Sequence, residues 1–337
     1  MIKVKLTTNF PKEPLLRQTP GRQGLWGHCE FKINQKVREC DWWVVFEGLL
    51  SKDATRCPRG NTIFISGEPP SLRTYNPSFL HKFDTVMTCH RNLEHAGVTY
   101  SQQGLPWHIG RRVMRDVDQY PFSLDYDALK SMRALKKDRL ISVIASGKDM
   151  SDGHRKRIAF VRKLTHYFGS RIDVFHPGVD YDDKWDAIAS YKYHLVLENS
   201  SYPDYWTEKL SDAYLAGAYP FYYGCPNISD YFPEAALTCI DISQPEQAIW
   251  KIEEMIQADK YENSINEVMK SRDLVLDKYN LFAFIAEFCE GLESSSRRAR
   301  IVLLPEGTVP SWRRVVRYGR RTLANLMQNA LRIGITQ

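Results

Sequence analysis

One segment, Tyr191–Pro226, has the sequence YKYHLVLENSSYPDYWTEKLSDAYLAGAYPFYYGCP. Its first apolar run ends at the polar residues 198–200, and a loop that contains Pro203 follows. A helix is then expected from Thr207, a good N-cap residue, to Gly217, after which a second apolar run begins. A strand, a helix and a strand in this order predict a βαβ unit of a parallel sheet.

The same alternation continues on both sides of this segment. Apolar runs predict strands at 140–144, 172–175, 194–197, 219–222 and 237–240. The stretches between and after them predict helices at 154–168, 185–190, 207–216 and 228–232 and within 244–291. Strands that alternate with helices of about 10–15 residues are typical of a Rossmann-like domain.

The first third of the chain contains shorter apolar runs, which predict strands at 42–46, 62–66 and 85–87. A length of 337 residues also favours two domains over one. The expected organisation is an N-terminal domain at 1–120, a linker at 121–138, a C-terminal Rossmann-like domain at 139–293 and a basic tail at 294–337.

The composition is that of an ordinary globular protein, with 43% hydrophobic and 26% charged residues. No run of about 18 apolar residues occurs, so no transmembrane helix is expected. The alternating N-terminus, Met1–Leu6, predicts a first strand rather than a secretory signal. The seven cysteines form no C-x-x-C pair, which favours reduced thiols in a cytoplasmic protein over a zinc site or a disulfide framework. A single disulfide remains the alternative.

The net charge of +6 is concentrated at the C-terminus. Residues 294–337 contain nine arginines and one acidic residue, Glu306, so this tail carries +8 and the rest of the chain −2. A nucleic-acid-binding domain would be expected to carry a basic face on its folded body. No nucleic-acid partner is therefore expected.

The tail has apolar residues at helical spacing from Trp312 to Leu331, with most of its arginines on the opposite face. A basic amphipathic helix is typical of a segment that binds an anionic membrane surface. We therefore expect a cytoplasmic protein with peripheral attachment to the inner face of the cytoplasmic membrane. A helix that docks on the protein's own N-terminal domain is the alternative.

The predicted helix that begins at Thr207 has the chemistry of an anion site. Ligands of open α/β sheets bind at the carboxyl ends of strands, where helix N-termini offer free N–H groups to a phosphate. Lys209 adds a cation there, and Glu208 is suited to accept hydrogen bonds from sugar hydroxyls. The pair suggests a sugar nucleotide as ligand. An ordinary capped helix with a surface Glu–Lys pair is the alternative.

Tyr191–Pro226 resembles the signature of the α1,3/4-fucosyltransferases, glycosyltransferase family 10, whose pattern is close to YKF-x-L-x-FENS…DYVTEK…A…G…P-x-x-x-G. The matching residues are Tyr191, Lys192, Leu195, Glu198, Asn199, Ser200, Asp204, Tyr205, Thr207, Glu208, Lys209, Ala213, Gly217, Pro220 and Gly224. The chain departs from the pattern at Trp206, where the family usually has Val, and at Leu197, where it usually has Phe. The resemblance is clear over about 140–242 and faint in the first hundred residues.

The resemblance implies a GT-B architecture, in which two Rossmann-like domains face each other across a cleft. It implies that the C-terminal domain binds a GDP-sugar, that the N-terminal domain binds the acceptor, and that transfer inverts the anomeric carbon. The residues implied at the donor are Glu198, Asn199, Ser200, Tyr205, Glu208 and Lys209. Of the upstream arginines, Arg157 is the better match for a donor-phosphate contact and Arg155 the second. A solvated basic helix face is the alternative for Arg155.

The general base should come from the N-terminal domain. Fucosyltransferases of this type have a Glu-Ser-Pro-like turn after a strand of that domain, and this chain has Ile65–Pro70, ISGEPP. Glu68 is therefore the predicted catalytic base, although Pro69 stands where the pattern has serine. Glu47 is the next acidic candidate, and an ordinary turn carboxylate is the alternative for Glu68.

Two D-x-D triplets, Asp125–Asp127 and Asp180–Asp182, have the form of a metal–diphosphate handle. Neither ends an apolar strand as such a handle requires, so no metal site is expected, and no cofactor is expected beyond the GDP-sugar co-substrate.

The expected function is an inverting transfer, most simply of L-fucose, from a GDP-sugar to a glycan or to a lipid-linked oligosaccharide such as a lipopolysaccharide precursor. A bacterial enzyme is expected because no Golgi-type anchor is present. Two alternatives stay open: a different GDP-sugar, and a membrane-attached scaffold with an inactive transferase domain. The intact Glu208–Lys209 pair argues against the scaffold.

Overall fold

The computed structural model describes residues 1–132, 135–145, 152–291 and 297–308. The predicted amphipathic segment from Trp312 onward lies outside the described residues. Among those that are described, no helix is both long enough and apolar enough to cross a membrane. All seven cysteines are free thiols, and only Cys239 is exposed.

The first domain is built on a largely parallel sheet. The strands of residues 1–100 are β1 (Ile2–Thr8), β2 (Leu25–Trp26), β3 (Cys29–Ile33), β4 (Trp42–Phe46), β5 (Asp53–Pro58), β6 (Thr62–Ile65), β7 (Thr85–Thr88) and β8 (Val98–Tyr100). The sheet order is β2-β3-β1-β4-β6-β7-β8, and only the β2–β3 pair within it is antiparallel. Every residue of β4 and β6 is buried, as expected for strands covered on both faces. The strands predicted at 42–46, 62–66 and 85–87 are confirmed.

The second domain carries a fully parallel sheet. Its strands are β9 (Arg139–Ile144), β10 (Ile172–Phe175), β11 (Tyr191–Leu197), β12 (Tyr219–Tyr223) and β13 (Thr238–Cys239), in the order β10-β9-β11-β12-β13. The helices, in chain order, are α1 (Pro77–Leu80), α2 (Tyr126–Ser131), α3 (Asp152–Phe168), α4 (Lys184–Ile188), α5 (Glu208–Leu215), α6 (Pro245–Gln257), α7 (Lys260–Asp277) and α8 (Leu281–Glu290). The predicted α/β architecture with two Rossmann-like domains is confirmed.

The strand order of each sheet reverses at a point that leaves a crevice for ligands. In the second sheet β9 lies between β10 and β11, and in the first sheet β1 lies between β3 and β4. Ligands of open α/β sheets bind at such points, outside the carboxyl ends of the strands. The residues that follow β6 and β11, Gly67–Glu68 and Glu198–Asn199, leave the sheets at these ends.

The chain returns to the first domain before it ends. Helix α8, assigned from the sequence to a C-terminal domain at 139–293, packs its buried residues Leu281, Phe282 and Ile285 into the apolar core under β1 and β4. The basic tail expected at 294–337 begins as strand β14 (Arg298–Leu303), which pairs antiparallel with β5. The physical reason is the apolar face of α8 and the buried Leu303, which both require an apolar partner surface.

The segment expected to link the domains, 121–138, contacts both of them. It contains helix α2, which Asp125 caps through the backbone N–H of Ala128. Asp127 accepts the N–H of Gly21 in the first domain. On the other side Lys130 forms ion pairs with Asp273 and Asp277 of α7. The linker therefore joins the two domains through side chains as well as through the backbone.

Candidate active site

A cavity of about 610 Å³ lies at the carboxyl end of the second sheet. Segment 108–113, which follows the first domain, forms one wall, and β9, β11, α3, α4, α5 and the loop at 177–182 contribute the others. The charged and titratable side chains that line it are His108, Arg111, Arg157, Tyr181, Asp182, Lys184, His194, Glu208, Lys209 and Asp212. Three of the predicted donor residues, Arg157, Glu208 and Lys209, thus meet at one cavity.

The turn between β11 and α5 is organised by a buried carboxylate. Glu198 has no exposed surface, and its Oε1 accepts the backbone N–H of Thr207 at 2.9 Å. The Thr207 hydroxyl lies 2.8 and 2.9 Å from the two carboxylate oxygens, and Lys209 Nζ lies 3.1 Å from Oε2. Glu198 is not part of the cavity wall. Its carboxylate instead fixes the start of α5 and the position of Lys209.

Lys209 and Glu208 hold opposite charges at the cavity wall. Burial alone would lower the pKa of Lys209, but the carboxylates of Glu198 and Glu208 raise it above its ordinary value. Burial alone would raise the pKa of Glu208, but Lys209 and also Lys184 hold it well below its ordinary value. Both groups are therefore charged at neutral pH. The cavity offers a fixed cation beside a fixed carboxylate.

Arg157 enters the cavity from α3. Its Nη1 donates a hydrogen bond to Asn199 Oδ1, and only 9% of its surface is exposed. The buried Nε–H of Arg157 has no acceptor among the described residues. Burial lowers the pKa of this guanidinium, which the carboxylates of Glu198 and Glu208 partly offset. A buried cation with an unused donor is an arrangement that an anionic ligand would complete.

The other arginine predicted at the donor, Arg155, lies on an exposed part of α3 and does not line the cavity. Ser200 lies at the junction of the domains, where its Oγ is 2.6 Å from Ser71 Oγ of the first domain. Tyr205 is buried, and its pKa is raised by this burial and then by Glu198 and Glu208. Neither Ser200 nor Tyr205 forms part of the cavity wall.

The predicted base, Glu68, lies in the turn after β6 on the other domain. Partial burial of its carboxyl group raises its pKa, and the charges of Glu47 and Glu208 raise it further, while Lys209 and Arg73 act in the opposite direction. Ser71, three residues after Glu68, contacts Ser200, so the segment that carries Glu68 lies beside the second domain. The side chain as a whole remains exposed, so an acceptor can reach it.

Glu47, the next acidic candidate for the base, has a different environment. It is 1% exposed, and its carboxylate accepts hydrogen bonds from the N–H groups of Gly67 and Glu68, from the Tyr75 hydroxyl and from Arg73. A carboxylate enclosed by four donors is not placed to take a proton from an acceptor. Its contacts hold the Glu68 turn instead.

Sequence reasoning missed a cluster that holds segment 108–113 against α5 at the cavity. Asp212 is fully buried, accepts the N–H groups of His108 and Ile109 at 2.7 and 3.0 Å, and forms an ion pair with Lys184 at 2.8 Å. Asp212 lies one helical turn after Glu208, so the i, i+4 spacing of two acids on α5 was an available signal. His108 and Lys184 carried no comparable signal, because only the fold brings them to α5.

The two D-x-D triplets are engaged in local structure. Asp125 caps α2, and Asp180 accepts hydrogen bonds from the backbone and the ring of His176. Within the described ranges, no group of three or more His, Cys, Asp or Glu side chains is arranged to hold a metal ion.

Residues 134–262 match the family model described as "Glycosyltransferase family 10 (fucosyltransferase) C-term". The chain is 40% identical to alpha-(1,3)-fucosyltransferase 4 of Bos taurus over 86 residues. This stretch covers 24% of this chain and 21% of that protein. The chain is also 37% identical to GDP-fucose protein O-fucosyltransferase 3 of Homo sapiens over 71 residues. This stretch covers 20% of this chain and 15% of that protein. The chain thus spans about a fifth or less of these curated relatives.

Among solved structures, the chain is similar to that of an alpha1,3-fucosyltransferase with GDP-fucose, with a TM-score of 0.44 and 14% sequence identity over 82% of this chain and 90% of that one.

Proposed function

We propose that this chain, which carries a glycosyltransferase family 10 (fucosyltransferase) C-terminal domain at residues 134–262, transfers L-fucose from GDP-fucose to a hydroxyl group of a glycan with inversion at the anomeric carbon. The domain match supports the reaction class, and the similarity to an alpha-(1,3)-fucosyltransferase and a GDP-fucose protein O-fucosyltransferase supports fucose as the sugar and GDP as its carrier.

The observation that carries the proposal is the pair of cations at the cavity. The Nε–H of the buried Arg157 has no acceptor within the part of the chain that the structure describes, and Lys209 is held charged by Glu198 and Glu208. Both line a space of about 610 Å³ at the carboxyl end of a parallel sheet. A nucleoside diphosphate fits this chemistry, because its two phosphates need fixed cations and N–H donors.

The proposed reaction is a single displacement. The acceptor oxygen forms a bond to the anomeric carbon while the bond from that carbon to the phosphate oxygen of GDP breaks on the opposite face. Glu68 takes the proton from the acceptor hydroxyl, which makes the oxygen a stronger nucleophile. Arg157 and Lys209 stabilise the negative charge that develops on the leaving diphosphate. Glu208 remains ionised and is available to accept hydrogen bonds from sugar hydroxyls.

The proposed acceptor is a glycan or a lipid-linked oligosaccharide such as a lipopolysaccharide precursor, in a bacterial cytoplasm. The sequence support is the tail at 294–337, whose charge of +8 suits attachment to an anionic membrane where lipid-linked acceptors are made. No cofactor or metal is proposed beyond the donor.

Calorimetric titration with GDP, followed by turnover assays with GDP-fucose and acceptors that end in galactose or N-acetylglucosamine, tests the proposal. The matched control is K209A, which should lose most GDP affinity. If the protein binds GDP but transfers sugar only from another GDP-sugar, that GDP-sugar is the donor instead of GDP-fucose. Binding without transfer from any GDP-sugar to any acceptor would favour an inactive scaffold, and the absence of GDP binding would refute the donor site.

A further inference from the structure

Glu47 holds the turn that carries the proposed base. It follows β4 with a positive φ of 64° and is almost fully buried. Its Oε1 accepts the N–H of Glu68 at 2.8 Å, the N–H of Gly67, and the hydroxyl of Tyr75 at 2.5 Å. One oxygen that binds two consecutive N–H groups fixes the backbone of a turn, because neither peptide can rotate without losing its partner.

Glycine at position 67 permits this close approach. A Cβ atom there would lie 2.9 Å from Glu47 Cγ and 3.0 Å from Glu47 Oε1. The opposite side of the turn is fixed by His90, whose Nε2 lies 2.8 Å from the carbonyl oxygen of Glu68. The backbone of the Glu68 turn is therefore held from both sides, while its side chain remains exposed.

The C-terminal strap, defined here as residues 297–308, reaches the same turn through Arg73. The Arg73 guanidinium donates from Nη1 to Glu47 Oε2 and from Nη2 to Glu306 Oε2, the latter at 2.8 Å. Glu306 Oε1 accepts the backbone N–H of Asn76 at 2.5 Å. The guanidinium also lies over the ring of Tyr75, at 4.7 Å from its centroid. A continuous set of charged contacts thus runs from the strap to Glu68.

The position of Glu306 is set by the strand that precedes it. Strand β14 pairs with β5 along its whole length, from Arg298 opposite Pro58 to Leu303 opposite Asp53. Leu303 is 1% exposed and belongs to the apolar cluster that includes Tyr75. The strand and its buried leucine bring Glu306 to Arg73, although the two residues are 233 positions apart in the chain.

We propose that Glu306, acting through Arg73 and Glu47, positions the Glu68 turn for proton transfer. The proposal rests on the proposed function, in which Glu68 is the base. Glu306, Arg73 and Glu47 are positioning residues. They act on the acceptor only through the backbone and the electrostatic surroundings of Glu68.

The arrangement has an electrostatic consequence that a purely structural role would not have. The charged groups that act on Glu68 are Glu47 and Glu208, which raise its pKa, and Lys209 and Arg73, which lower it. In E306Q the Arg73 charge is less compensated, and in E47Q a negative charge beside Glu68 is removed. Both changes should lower the pKa of Glu68 and move the acidic limb of the kcat/KM profile to lower pH.

The test compares E306Q with R298Q in the full-length protein. E306Q should lower kcat roughly tenfold, short of the ~10²-fold that a 1 Å misplacement can cost. Its KM for GDP-fucose should stay within about twofold, since the donor cations are untouched. R298Q is the matched control, because Arg298 forms an ion pair of the strap with Asp41, away from the Glu68 turn. It should retain the wild-type kcat and pH profile.

Hydrogen exchange gives a second readout that does not need turnover. The amides of Gly67 and Glu68 should lose protection in E306Q and in E47Q but not in R298Q. An E306Q protein with wild-type kcat and unchanged exchange at these amides would overturn the proposal, as would an equal loss in R298Q. Failure of the wild-type protein to transfer any sugar is a different result, because it refutes the proposed function itself.

Discussion

Lys209 extends back across the β11–α5 turn to Glu198, and the ammonium nitrogen lies 3.1 Å from Glu198 Oε2. The carboxylate is fully buried, whereas the lysine keeps a quarter of its side chain exposed at the cavity. The two residues, both assigned to the donor from the sequence, therefore have different tasks. Glu198 fixes the cation, and Lys209 presents it to the ligand.

The first prediction follows from this division. E198Q keeps the size of the side chain but removes the charge that holds Lys209. We expect GDP affinity to fall on the order of tenfold, because a hydrogen bond to a charged group is worth about 1.5–3 kcal/mol. Calorimetric titration with GDP measures the effect. The control is E253Q, which breaks the ion pair with Arg171 on the surface. Wild-type affinity in E198Q would contradict the assignment.

The second prediction concerns the base and its pH dependence. E68Q should lower kcat by about 10²–10⁴ while GDP affinity changes only a few-fold. A base works in its deprotonated form, and the pKa of Glu68 is raised by partial burial and by Glu47 and Glu208. Activity of the wild-type protein should therefore fall as pH decreases, and it should begin to fall above the ordinary range of a glutamate. Near-normal turnover in E68Q would exclude this residue as the base.

The sequence predicted the elements around this site but not the contacts between their side chains. Thr207 is the N-cap of α5, as expected, because an N-cap residue and the polar turn that follows it are local signals. Strand β11 begins at Tyr191, three residues before the predicted start, since Lys192 interrupted the apolar pattern. The contact between Glu198 and Lys209 was not predicted, because a pattern gives residue types and spacing but not the direction of a side chain.

In the C-terminal part of the chain, the sequence patterns did not indicate which distant elements β14 and α8 contact. The sequence assigned residues 297–300 to the basic tail at 294–337, yet β14 forms there, because a two-stranded edge pair needs few buried side chains and Leu303 supplies one. The pattern within 244–291 correctly predicted helices, and α8 is one of them. It could not indicate which of two sheets the helix covers, since both offer an apolar face. Long-range placement of this kind is decided by tertiary packing.

The third prediction separates the two arginines of α3. R157A should weaken GDP binding and slow transfer together, because the charge on the diphosphate is present before and after cleavage. Loss of a charge-assisted contact corresponds to roughly 10- to 100-fold in affinity. R155A is the matched control on the same helix, because Arg155 does not line the cavity. Equal losses of affinity in both variants would contradict a specific role of Arg157.

The fourth prediction concerns the tail beyond the strap. Deletion of residues 311–337 should abolish sedimentation with anionic liposomes, since each arginine near such a surface contributes about 1 kcal/mol. A soluble oligosaccharide acceptor should still be used. High salt should release the full-length protein, because attraction to the surface is screened within about 8–10 Å. A truncated protein that is insoluble or thermally unstable would show instead that the tail packs on the folded domains.

The fifth prediction uses a histidine at the floor of the cavity. His194 is 3% exposed, its Nδ1 lies 2.8 Å from Ser142 Oγ, and burial lowers its pKa to about 3. The unfolded chain binds this proton near pH 6.5, so the folded state loses about 1.4 kcal/mol for each pH unit as pH falls from 6.5 towards 3. The free energy of unfolding, measured with denaturant, should therefore decrease less steeply with falling pH in H194Q than in the wild-type protein. The matched control is H166Q, which changes an exposed histidine of α3. If the free energy of unfolding of H194Q depended on pH as it does in the wild-type protein, His194 would not contribute to acid sensitivity.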